Sequence, residues 1–165
     1  MPTPMTWEQI CEDPHLRDLP YKIEQDRYGR IVMSPVDLGH SRYQGRILTL
    51  LVELLPSWEI IPECAVQTRE GVRVPDVAAI RLYRSSEWKD VSSLPVGPDI
   101  CVEVISWSNS PGEMEDKRRL FAQQGCREFW TCSEDGEMVF FEAESGRVLT
   151  RSEICPEFPE RIRLR

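Results

Sequence analysis

The chain has 165 residues, 41% hydrophobic and 29% charged, which suits one domain with a sizeable core and does not suit a disordered chain. Its 28 acidic against 20 basic side chains give a net charge of −8, which opposes the cation–phosphate attraction behind non-specific nucleic-acid binding. A nucleic-acid role then requires a local basic patch or a divalent metal.

No apolar run approaches the roughly 20 residues of a membrane span, and the N-terminal stretch carries no basic segment followed by an apolar core, so neither a membrane anchor nor a secretory leader is expected. Cys11, Cys64, Cys101, Cys126, Cys132 and Cys155 form no CxxC pair and no zinc-ligand spacing. Several lie in apolar runs, where a free thiol behaves as a small hydrophobe. The expectation is reduced cysteines, a cytoplasmic location and a single domain over residues 1–165.

Thr6 followed by Gln9 has the spacing of a capping box and predicts a short helix that Pro14 ends. Tyr21 to Gln25 and Arg30 to Met33 read as two strands of a hairpin around Asp26-Arg27-Tyr28-Gly29, with Glu24 on the first. A helix is expected from His40 to Leu55, because Tyr43, Ile47, Leu50, Leu51 and Leu54 recur at helical spacing. Arg42 and Arg46 share another of its faces. His40 stands at its start, where a histidine serves either as a capping or surface residue or as part of a site.

Glu59 to Thr68 and Val72 to Ile80 read as two strands joined at Glu70-Gly71, the second carrying Asp76. Pro75 lacks an N–H and interrupts pairing beside that acid. Tyr83 to Pro98 is polar and Ser- and Pro-rich, and is expected to be a surface loop. Ile100 to Ile105 is an apolar, β-branched run interrupted by Glu103. A loop over Ser106 to Pro111 precedes a helix from Glu113 to Gln124, stopped by Gly125. Met114, Lys117 and Phe121 fall on one face of that helix. Lys117 thus either covers apolar surface with its stem or directs its ammonium at the preceding strand. Three strands follow, Glu128 to Cys132, Glu137 to Glu142 and Arg147 to Arg151.

An ionised acid inside an apolar strand needs a cation, a metal or a raised pKa. Glu103 faces solvent, pairs with an arginine, or belongs to a site with Asp76. Two carboxylates from neighbouring strands hold a hard cation such as Mg2+, with Mn2+ as an alternative, and such a metal activates water and polarises a phosphodiester. Lys117 would then orient the attacking water or stabilise developing negative charge. The metal would also answer the objection raised by the net charge.

VPDVAAI, then DICVEVISWSNS, then EDKRRLFAQQGCREFWTC, preceded by YKIEQDRYGRIVMSP and GHSRYQGRILTLL, resembles the PD-(D/E)XK nuclease superfamily over nearly the whole chain. The likeness is greater to its bacterial restriction-endonuclease-like branch. Two residues after the second acid, where the basic pattern has lysine, stands Ile105. In this branch the lysine is carried by the next helix, where Lys117 stands. Trp107 occupies a position that is usually proline in the family.

The resemblance implies an α/β (α+β) fold with a mixed central sheet flanked by helices, and a homodimer acting on DNA. It also implies Asp76 and Glu103 as metal ligands, Lys117 as catalytic cation, and Glu24 and His40 in supporting roles. Arg42, Arg46, Arg118 and Arg119 are the phosphate contacts expected, against the alternative of a plain solvated face. Two functions stand: a Mg2+-dependent endonuclease, or a non-catalytic binding or assembly module that keeps the fold.

Overall fold

The computed structural model describes residues 3–165. Its first helix, α1 (Trp7–Glu12), starts at the expected capping box: the Thr6 hydroxyl accepts from the Gln9 N–H, and the Gln9 side-chain Oε1 from the Thr6 N–H. Strands β1 (Tyr21–Asp26) and β2 (Ile31–Pro35) form the expected hairpin. Helix α2 (Leu38–Leu54) begins two residues before His40 because Asp37 is its cap, accepting from the His40 N–H.

The two long strands expected over 59–68 and 72–80 are each broken in two. The first becomes β3 (Trp58–Pro62) and β4 (Val66–Thr68), the second β5 (Gly71–Arg73) and β6 (Val77–Arg81). Strand β3 pairs with β6 and β4 with β5, in different sheets. Both breaks have local causes. Glu63 adopts the left-handed conformation at φ 49°, and Pro75 has no N–H to give to a ladder.

From residue 100 onward the elements are β7 (Ile100–Val104), α4 (Pro111–Gln123), β8 (Glu128–Cys132), β9 (Met138–Glu142) and β10 (Val148–Leu149). The expected mixed central sheet is ordered β10-β9-β8-β7-β6-β3, and a second, antiparallel sheet ordered β2-β1-β5-β4 accompanies it. Strand β7 is interior, antiparallel to β6 and parallel to β8, to which α4 connects it.

The stretch 83–98 is more ordered than expected of a surface loop. It begins in a short helix, α3 (Leu82–Ser85), and a 3-10 turn at Ser86–Trp88. Leu94 then buries itself and bridges to Val66, and Arg84 is clamped to the buried Asp99 at 2.8 Å.

Alternation along the strands divides the core. Val77, Ala79, Ile100, Val102 and Trp130 pack with Ile47 and Leu51 of α2. Ala78, Ile80, Cys101 and Phe129 pack with Met114 and Phe121 of α4 on the opposite face. By the same alternation Glu103 belongs to the α4 face, two residues beyond Cys101, and so does Asp76, two residues before Ala78. The six cysteines are free thiols, all buried except Cys11.

Candidate active site

Asp76 and Glu103 meet at the end of the large sheet, 1% and 2% exposed. Asp76 occupies the break that Pro75 opens between β5 and β6. Its Oδ2 accepts from the Val104 N–H at 2.7 Å, tying it to the strand that carries Glu103. Helix α2 fixes it from the other side with residues one turn apart. His40 Nε2 lies 3.1 Å from Asp76 Oδ2, and Gln44 Nε2 donates to the Asp76 carbonyl at 2.9 Å.

Lys117 is on the buried face of α4, 8% exposed. Ser110 starts that helix by accepting from the Glu113 N–H, with Pro111 behind it. The Lys117 ammonium stands 3.3 Å from Glu103 Oε1 and 3.5 Å from Glu24 Oε1. Glu24 is buried, and it also accepts from the Val74 N–H at 2.8 Å, next to the Pro75 gap.

A sixth charged group, absent from the sequence-based set, completes the cluster. Lys22 Nζ lies 2.8 Å from Asp76 Oδ1 and 3.5 Å from Glu103 Oε2. Lys22 and Glu24 are two apart on β1 and share one face, so the small sheet delivers both to the end of the large one. Gly71 allows that approach. At φ 91° it passes so close to β1 that a Cβ would lie 2.0 Å from the Gln25 carbonyl oxygen.

Three carboxylates, two ammoniums and an imidazole compensate one another in this buried space. Burial favours the neutral form of Lys22, but Glu103, Asp76 and Glu24 outweigh it and raise its pKa. Burial likewise pushes Asp76 upward, and Lys22 and His40 together reverse this, holding it well below the usual carboxylate range. The hydrogen bond to Asp76 raises His40 against its own burial. Glu103 is pushed up to about 7 by burial, with the Lys117 and Lys22 ammoniums opposing. Of the two acids, Asp76 is the firmly ionised one.

Among the described residues no group of three or more His, Cys, Asp and Glu side chains is arranged to hold a metal. The two acids nevertheless fit a hard cation in part. They converge on one point, and a cation, the Lys22 ammonium, is seated there. A cleft of about 360 Å3 lies on the same sheet face, lined by Ile105, Asn109, Ser110, Met114 and Thr131 among others. Ile105 is two residues past Glu103, and Thr131 is the β8 partner of Glu103.

The four arginines are not equivalent. Arg42 is exposed and Arg46 half-buried on α2, and Arg119 is exposed, 2.9 Å from Asp116. Arg118 does not face solvent as a phosphate contact would: its guanidinium donates to the Ala143 and Glu144 carbonyls and to Glu115, clamping α4 to the turn after β9. Lys22 and Gln44 were the residues missed from sequence, each with a faint signal: the period of two with Glu24 and the period of four with His40. Trp107, just beyond β7, is 88% exposed.

The family model for Uma2, described as "Putative restriction endonuclease", matches residues 9–164. A solved structure described as "a putative nuclease belonging to DUF820 from Anabaena variabilis" aligns with a TM-score of 0.71. It covers 91% of this chain and 86% of its own at 14% sequence identity, a likeness of fold. No curated protein matches the chain. The described residues include no helix long and apolar enough to cross a membrane.

Proposed function

Starting from the chain's membership of the Uma2 family of restriction-endonuclease-like proteins, we propose that it is a metal-dependent endonuclease hydrolysing DNA phosphodiester bonds. The observation that carries this reading is the convergence of Asp76 Oδ1 and Glu103 Oε2 on a single cation. Asp76 and Glu103 would hold Mg2+ or Mn2+, with water completing the shell, as Mg2+ prefers. Bound there, the metal supplies Lewis acidity toward the phosphodiester and an acidified water.

The chain's own residues do the rest. Lys117 reaches Glu103 of that pair, and its ammonium orients the attacking water and stabilises the charge that grows on the phosphoryl oxygens. Glu24 positions Lys117 by pairing with it, and His40 and the Val104 N–H hold Asp76 in one rotamer so that Oδ1 faces inward. Arg42 and Arg46, one turn apart on α2, and Arg119 are the phosphate contacts in this reading. Cutting both strands of a duplex takes two such sites, which a homodimer would supply.

The test is cleavage of supercoiled plasmid by the purified protein with and without Mg2+ or Mn2+, beside Asp76→Ala and Lys117→Ala. Metal-dependent nicking that both substitutions abolish is the expected result. No cleavage by the wild type, or equal cleavage by the variants, would overturn it and favour a non-catalytic binding module on the same scaffold.

A further inference from the structure

We propose that Lys22 is an internal cation that fills the Asp76–Glu103 site in the metal-free protein, and that a divalent metal binds there by exchange with it. This rests on the metal-dependent reading above. The four carboxylate oxygens divide their work clearly. Asp76 Oδ2 is taken by the Val104 N–H and His40. Glu103 Oε1 faces Lys117. The two oxygens left, Asp76 Oδ1 and Glu103 Oε2, are those bridged by Lys22, the one ion-pair partner common to both acids among the described residues. A metal using both of those oxygens must take the place of the Lys22 ammonium.

Electrostatics makes the exchange reasonable. Two buried carboxylates with no cation between them repel and are badly desolvated, so an empty site is costly. One ammonium relieves part of that cost, and a dication relieves more. Lysine suits the temporary role, being a compact charge on a flexible four-carbon stem. The Lys22 side chain is 14% exposed against 1% and 3% for the two acids, so it is the member of the trio with a way out to solvent. Lys117 does not play this part, because its partners are Glu103 and Glu24 and it has no contact with Asp76.

Calorimetric titration of Mn2+ into the EDTA-stripped full chain decides the matter, comparing wild type with Lys22→Met and Lys22→Arg. With the competing cation removed, Lys22→Met should bind Mn2+ at least about tenfold more tightly, a difference of about 1.4 kcal/mol. It should also melt below the wild type without metal and regain that deficit at saturation. Lys22→Arg, which keeps a cation, should show no gain. Equal or weaker binding by Lys22→Met would overturn the exchange while leaving the metal site in place. Binding by neither protein would overturn the metal-dependent reading and the exchange with it.

Should Lys22→Met fail to fold, the wild type carries the test alone. The 15N–1H signal of the Lys22 ammonium should move toward that of a free lysine as Mg2+ saturates the protein. A signal that stays in place at saturation would contradict exchange.

Discussion

Glu103 and Glu128 are both buried acids on adjacent strands of one sheet, 2% and 3% exposed, yet the protein treats them in opposite ways. Glu128 is surrounded by neutral donors. Its Oε2 accepts from Trp130 Nε1 and the Ser152 hydroxyl, both at 2.7 Å, and its Oε1 from the Glu153 and Ile154 N–H groups at 2.9 Å. Those bonds fasten the C-terminal segment to the sheet and leave the carboxylate nothing further to do. Among the described residues Glu103 has only ammoniums, at 3.3 and 3.5 Å, supplied by side chains from α4 and β1. A carboxylate satisfied by fixed dipoles is structural, whereas one held by flexible cations is free to change partners. That difference is why one buried glutamate anchors a tail and the other belongs to the candidate site.

The same conservative substitution should separate them. Glu128→Gln turns an amide N–H2 against donors that had an oxygen to bond, and should cost about 3 kcal/mol in urea unfolding. Next in size, Gly71→Ala forces a Cβ against the Gln25 carbonyl at a backbone conformation L-residues avoid, and should cost about 2 kcal/mol. Because Gly71 lets the small sheet bring Lys22 to the large one, that variant should also loosen the Lys22 pair with Asp76 and so enlarge any metal-induced rise in melting temperature. Glu103→Gln, by contrast, should change metal-free stability by no more than about 1 kcal/mol at pH 7, because burial already disfavours the charge it removes.

The smallest effect belongs to His40. Its pKa is raised in the folded state, so the stability it contributes is fully present below the unfolded value of about 6.5 and is lost as pH rises through the folded one. The gap between wild type and His40→Asn should therefore be widest near pH 5.5, about a few tenths of a kcal/mol. It should close as the pH is raised, and a gap that widens instead would show that His40 holds Asp76 in its neutral form.

Asp76, Glu103 and Lys117 were legible in the sequence for one physical reason: each is a charge set in an apolar pattern, where it must be compensated. Lys22 was not, because a lysine on a hairpin strand ordinarily faces water, and only the tertiary approach of the small sheet turns it inward. Glu128 was invisible for a related reason, since its donors lie up to 26 residues away in the C-terminal segment. The division into two sheets was half legible. Pro75 announced one break, but the left-handed Glu63 that makes the other carries no glycine or asparagine to signal it. Leu94, inside a polar stretch, shows that one apolar residue with a buried place to go can order a segment that composition marks as loop.

The most direct measurement is the Mn2+-dependent shift in melting temperature of wild type, Glu103→Gln and Glu128→Gln in one experiment. A metal that binds the folded state raises its stability by mass action. Wild type and Glu128→Gln should both melt higher with Mn2+, the latter from a lower baseline, and Glu103→Gln should not respond. A Glu103→Gln protein that keeps the full shift would contradict the assignment of the metal to the Asp76–Glu103 pair.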